Sequence, residues 1–136
     1  MCVFCDIVSG EVPAAVVYEN DAFLGFLDIR PLIPGHVLVI PRDHLETLAD
    51  LSPETITHLF TIVQRVSAAV EDAMGAKGTF VALNNKVSQS VPHVHVHVVP
   101  RNPKDGLRGF FWPRHKYKDD AHMEATAASI RAVLEG

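Results

Sequence analysis

The sequence predicts an α+β fold, a five-stranded antiparallel sheet carrying one long central helix and a C-terminal helix. Three observations support this. Five short segments rich in branched and aromatic residues, at 16–19, 22–28, 36–40, 79–84 and 93–99, read as strands. A long stretch between the third and the fourth repeats apolar residues at three- and four-residue spacing. The order of strands, helix, strands, helix then suits an antiparallel meander with helices packed on it.

The first three strands are set off by Pro13, the Asn20-Asp21 pair, Pro31, Pro34-Gly35 and Pro41, residues that interrupt ladders and favour turns. Ser52-Pro53 starts the long helix, because the hydroxyl caps free amides and a proline at the first position loses no hydrogen bond. Ile56, Leu59, Phe60, Val63, Val66 and Val70 form its apolar stripe, expected to cover one side of the sheet, and Gly75 stops it. Asp120 is the expected cap of the last helix, whose Met123, Ala127, Ile130 and Leu134 share a face.

A chain of 136 residues with 48% hydrophobic content is large enough for one core, and no repeat, low-complexity tract or linker divides it. Residues 1–136 are therefore expected to be a single domain. No signal peptide or transmembrane run is legible, which makes a soluble cytoplasmic protein, without a membrane partner, the expectation. A formal charge of −4 argues against a general nucleic-acid binder, which needs a positive footprint to displace counterions. Six of the twelve basic residues nonetheless fall between Arg101 and Lys118, with Asp105 the only acid there. That stretch faces a phosphorylated ligand or is a solvated loop. Cys2 and Cys5 are too close to staple a fold, leaving a metal site or burial.

The informative segment is Pro92-His93-Val94-His95-Val96-His97-Val98-Val99. Alternate residues of an extended chain point to opposite faces, so His93, His95 and His97 line one face while Val94, Val96 and Val98 enter the core. A lone histidine in a strand is commonly structural. Three in alternation are costly to bury together unless metal, phosphate or mutual hydrogen bonds compensate. Two chemistries compete: a zinc site built from a His-x-His pair and a third ligand, or a neutral imidazole nucleophile with neighbouring donors to phosphate oxygens.

His-Val-His-Val-His-Val-Val resembles the motif that names the histidine triad (HIT) family. The resemblance extends over about residues 2–101, through Cys2-Val3-Phe4-Cys5, Phe26-Leu27-Asp28-Ile29, the Pro34-Gly35-His36 strand that runs on to His44, Asn84-Asn85 and Gln89-Ser90-Val91. It implies a HIT-like fold and a nucleotide hydrolase or transferase acting at the α-phosphate of purine nucleotide conjugates, whether phosphoramidates, adenylates or dinucleoside polyphosphates. By the match His95 is the nucleophile that forms a covalent nucleotidyl-histidine, with His97, His36, Gln89 and Ser90 around the phosphate. Asp28 is matched to the ribose, Phe26, Ile29 and Phe4 to the base, and Asn84 to the sugar-phosphate. The Asn84-to-Gln89 loop departs from the pattern in being shorter and lacking glycines. Some bacterial relatives pair a Cys-x-x-Cys with two histidines, which implies here a structural zinc on Cys2, Cys5, His44 and His93, and no organic cofactor.

The same resemblance implies a homodimer in which two sheets join. Two other readings stand beside the enzyme: a purine-nucleotide sensor or scaffold without chemistry, and a zinc hydrolase whose ligands are the triad itself. The Phe110-Phe111-Trp112 run is expected to cover an interface or the mouth of the site, and His58, His115 and His122 are expected on the surface.

Overall fold

In the computed structural model, which describes residues 1–107 and 113–136, the long helix and five strands form where the sequence places them, with shifts at the ends. The order is α1 (Val3–Ser9), β1 (Val16–Glu19), β2 (Phe23–Leu27), β3 (Val37–Pro41), a 3-10 turn (Leu48–Asp50), α2 (Pro53–Ala73), β4 (Gly78–Ala82), β5 (Val96–Arg101) and α3 (Asp120–Glu135). The strands pair antiparallel in the order β1-β2-β3-β5-β4, so β5 is flanked on both sides and β4 lies at an edge. The run containing Trp112 falls outside the described residues.

The two faces of the sheet are covered by different helices. Leu59, Ile62, Val63, Val66 and Val70 of α2 pack against Val37, Val39, Val94, Val96 and Val98. Phe60 is 37% exposed and sits off this stripe, its place in the core taken by Ile62. Ser52 caps α2 by accepting from the Thr55 amide at 3.0 Å, with Pro53 at the first position. The opposite face holds Phe4 of α1 with Leu24, Phe26, Leu38 and Ile40. The sequence reading did not anticipate α1, a seven-residue helix whose first amide turn is capped by the Cys2 sulfur.

Three expectations need correction. β5 begins at Val96 rather than His93, because the His93 amide bonds to the Val91 carbonyl and the Val94 amide to Leu45 instead of a ladder partner. Pro41, at the facing end of β3, has no N–H to offer. Asp119, accepting from the His122 amide at 2.7 Å, caps α3, and Asp120 is its first helical residue. Nor does α3 pack on the sheet: none of its residues is buried, and Met123, Ile130 and Leu134 are exposed. The described residues leading into it, 113–119, are exposed throughout, so no buried anchor draws it onto the core.

Gly35 opens β3 with a φ of +102°, a left-handed conformation that suits glycine. A Cβ there would lie 2.8 Å from Met74 Cγ at the end of α2.

Candidate functional site

The three triad rings share one side of their chain while Val94, Val96 and Val98 are buried in the α2 core, as alternation requires. His93 and His95 are buried and His97 is half-buried. His95 Nδ1 donates to the His93 carbonyl at 2.8 Å, which leaves the lone pair of an uncharged ring on Nε2. That nitrogen has no hydrogen-bond partner among the described residues. The edge of Phe4 meets the His95 ring at 5.0 Å between centroids and Phe26 at 5.5 Å, so α1 holds the imidazole in place from the side.

A cleft of about 260 Å³ opens beside His95. Its walls are apolar, from Val3, Phe4 and Ile7 of α1 and from Phe26 and Leu38 of the sheet, and its polar groups are Asp28, Ser90, His95 and His97. Ile29, 91% exposed, stands at the mouth. Asp28 accepts from the Arg30 amide at 2.8 Å through Oδ1 and lies 3.8 Å from His36 Nε2 through Oδ2. A larger groove of about 390 Å³ between α2 and β1 is lined by aliphatic side chains with Tyr18 and Arg65, a set without a nucleophile or a metal ligand.

Three predicted residues are not in the cleft lining: His36, which pairs with His97, and Gln89 and Asn84 of the loop. Gln89 ties its loop to the segment after β3, accepting from the Lys86 amide at 2.8 Å and donating to the Glu46 carbonyl. Asn84 donates to the Ser88 carbonyl at 3.2 Å. The glycine-free loop needs these braces, because Lys86 and Ser88 adopt φ of 69° and 63°. Left-handed residues with a Cβ cost about 1–2 kcal/mol each. Ser90 alone of this segment's predicted residues reaches the cleft.

His36 and His97 form a second ring pair, with His36 Nε2 2.9 Å from His97 Nδ1 and the Leu32 amide donating to His36 Nδ1 at 3.1 Å. Burial, with His95 and His36 nearby, lowers the His97 pKa to about 4, and burial lowers that of His36 as well. A group that stays neutral when folded but titrates near 6.5 when unfolded favours the unfolded state as it takes up protons there. Stability from this pair is therefore complete above about pH 6.5 and declines as pH falls towards about 4. Denaturant midpoints measured across that window should fall with acid, and less steeply in His97→Asn. An equal slope in the variant would show that the ring contributes nothing to it.

Among the described residues the triad histidines do not form one group of close ligand atoms, His93 and His97 falling in different clusters and His95 in neither, which speaks against the triad as a zinc-hydrolase ligand set. His93 instead joins a cluster with Cys2, Cys5 and His44 whose ligand atoms all lie within 4.8 Å of one another. His93 Nδ1 is 3.5 Å from Cys2 Sγ and 3.6 Å from Cys5 Sγ, and His44 Nδ1 is 3.3 Å from Cys5 Sγ. Sulfur and nitrogen bound to one tetrahedral zinc stand about 3.5 Å apart. The His93 Nε2 proton is committed to the Pro41 carbonyl at 2.8 Å, so the Nδ1 lone pair points at the thiols, the outer-sphere arrangement of a metal-binding histidine. The donor set fits zinc without an open position.

A model of the HIT domain matches residues 9–104. The chain belongs to the HIT family. An uncharacterized HIT-like protein of Mycobacterium tuberculosis is 38% identical over 135 residues, 98% of this chain and 92% of that one. The crystal structure of a HIT family member from Bacillus subtilis superposes with a TM-score of 0.88 at 36% identity, covering 96% of this chain and 95% of that one. A zinc-bound histidine triad family protein from Mycobacterium smegmatis gives a TM-score of 0.74 at 39% identity, over 97% and 96% of the two chains. HIT relatives with named activities include an adenylylsulfatase of Arabidopsis thaliana and an asymmetrical bis(5'-nucleosyl)-tetraphosphatase of Schizosaccharomyces pombe. This HIT protein shares their domain, and it has no helix among the described residues long and apolar enough to cross a membrane. The resemblance implies a backbone carbonyl on the His95 ring, and the His93 carbonyl is in that place; sequence reasoning missed the Pro41 carbonyl and the Leu32 amide, which orient His93 and His36, because they leave no signature in residue type.

Proposed function

We propose that this HIT protein is a hydrolase or transferase that acts at the α-phosphate of purine nucleotide conjugates through a nucleotidyl-His95 intermediate. The observation that carries the reading is the His95 Nδ1 bond to the His93 carbonyl, which leaves an unpartnered Nε2 lone pair bordering the cleft. Nε2 attacks the α-phosphorus; the P–N bond forms as the bond to the leaving group breaks, and that group departs with the electron pair and takes a proton from solvent relayed by the Ser90 hydroxyl. Water then attacks in line and gives up a proton to solvent, the P–N bond breaks with its electron pair returning to Nε2, a nucleoside monophosphate leaves, and neutral His95 is regenerated. The Ser90 hydroxyl and His97 donate to the phosphoryl oxygens, whose negative charge persists throughout. Asp28 accepts from the ribose hydroxyls, while Phe26, Ile29 and Phe4 enclose the base.

Cys2, Cys5, His44 and His93 hold a structural zinc in this reading, supported by the spacing of their ligand atoms and by the zinc-bound relative. The protein acts as one domain and as a cytoplasmic homodimer, with edge strand β4 and its exposed Val81 available to extend the sheet.

The test is incubation with adenosine phosphoramidate, quenching in alkaline denaturant and mass spectrometry of the chain and of its proteolytic peptides. One nucleoside monophosphoryl group on the peptide containing His95, together with released AMP, is expected. Binding of AMP without turnover of any phosphoramidate, adenylate or dinucleoside polyphosphate would leave a sensor instead. Because the base slot is apolar, adenine and guanine conjugates should have kcat/KM values within about tenfold of each other, since large discrimination needs a hydrogen bond that one base cannot make. A hundredfold preference in paired kinetics would contradict that slot.

A further inference from the structure

We infer that His36 is a positioning residue: held by the backbone amide of Leu32, it fixes His97 as the Nε2–H tautomer and so aims a donor, not a lone pair, at a phosphoryl oxygen. The inference deepens the proposed reaction and rests on it for its functional part. The tautomer chain itself stands on hydrogen-bond geometry, together with the uncharged state of the two rings.

The chain has one direction. The Leu32 amide donates to His36 Nδ1 at 3.1 Å, and an amide is always a donor, so this nitrogen must carry the lone pair. A neutral His36 then has its proton on Nε2. The Asp28 carboxylate, 3.8 Å from that nitrogen, favours the same placement. His36 Nε2–H points at His97 Nδ1, 2.9 Å away, and His97 must accept there. One proton remains for His97, on Nε2, the nitrogen left free of His36. A ring with a pKa of about 4 is uncharged near neutral pH, so it presents a single tautomer rather than an imidazolium with two donors.

Two consequences separate this pair from its neighbours. His95, bonded through Nδ1 to a carbonyl, holds the opposite tautomer two residues away, so adjacent rings of the row present a lone pair and a proton. Asp28, His36 and His97 also have ligand atoms within 4.8 Å of one another, the spacing of a metal site. A cation there would need the His36 Nε2 lone pair, which would turn a protonated Nδ1 against the Leu32 N–H, donor facing donor. The Leu32 amide therefore keeps this cluster for hydrogen bonding, whereas the Pro41 carbonyl turns His93 towards the thiols.

Nitrogen-15 NMR of the imidazoles, by long-range proton correlation at neutral pH, tests the chain in the protein without substrate. His36 and His97 are expected as Nε2–H and His95 as Nδ1–H; His97 observed as Nδ1–H would overturn the inference. In kinetics His36→Ala should lower kcat by about 10- to 100-fold and change the Kd for AMP by less than about threefold. His36→Gln, which restores an N–H near the Nε2 position, should recover most of kcat. Loss of AMP affinity in proportion to kcat would make His36 a direct phosphate contact and overturn the positioning role. Expected tautomers in a wild-type protein that turns over no conjugate would uphold the chain and sink the proposed reaction.

Discussion

Replacing His95 with alanine is expected to lower turnover of nucleotide conjugates on the order of 10⁴-fold or more, because the variant lacks the atom that forms the covalent bond. AMP binding should persist within several-fold, since Asp28, Ser90 and His97 stay in place around the cleft. The two measurements belong together. Single-turnover kinetics report the chemical step, and calorimetric titration with AMP shows that the cleft still forms. His95 is 4% exposed and touches the Phe4 edge, so its removal leaves a small void and lowers stability by about 1–2 kcal/mol. A variant that keeps near-normal turnover would eliminate His95 as nucleophile.

Stripping the proposed zinc has the second largest expected effect, and it falls on stability before activity. The cluster joins residues 2 and 5 to residues 44 and 93, so a bound metal closes two long loops and anchors the N-terminus. The seven-residue α1 is too short to persist without tertiary support, and it carries Cys5 and Phe4, with Cys2 as its N-cap. Chelation, or Cys5→Ser, should lower stability by several kcal/mol, read as a fall in Tm and as faster amide exchange in α1. An unchanged Tm and unchanged α1 protection would refute the structural role. Activity lost at full stability would point to zinc in the chemistry instead.

Elements with a strong period were legible in the sequence. The 3.6-residue stripe of α2, Phe60 apart, is a direct image of burial on one face, and the alternation of the histidine row sends Val94, Val96 and Val98 into the α2 core. The HIT resemblance brought Cys2, Cys5, His44 and His93 together on paper, and the fold brings their ligand atoms within 4.8 Å. Elements whose shape depends on distant partners were not legible. α1 has too few residues to show a period, and the apolar stripe of α3 pointed to packing that no buried residue provides. Gln89 matched a motif position, yet a loop turning through left-handed Lys86 and Ser88 uses its carboxamide to tie Lys86 to the Glu46 carbonyl. The tautomers of His36 and His97 were out of reach for a simpler reason: they are set by a backbone amide, a group that almost every residue possesses.

The contact between Gly35 and Met74 gives the longest helix a say in the chemistry. Gly35 immediately precedes His36, and the tip of α2 occupies the space a side chain there would need. A residue larger than glycine must either dislodge Met74 or drag the start of β3, and the second response would tilt the His36 ring away from its neighbour. Damage at this remote joint would then surface as slow catalysis in a protein whose cleft residues are all unaltered.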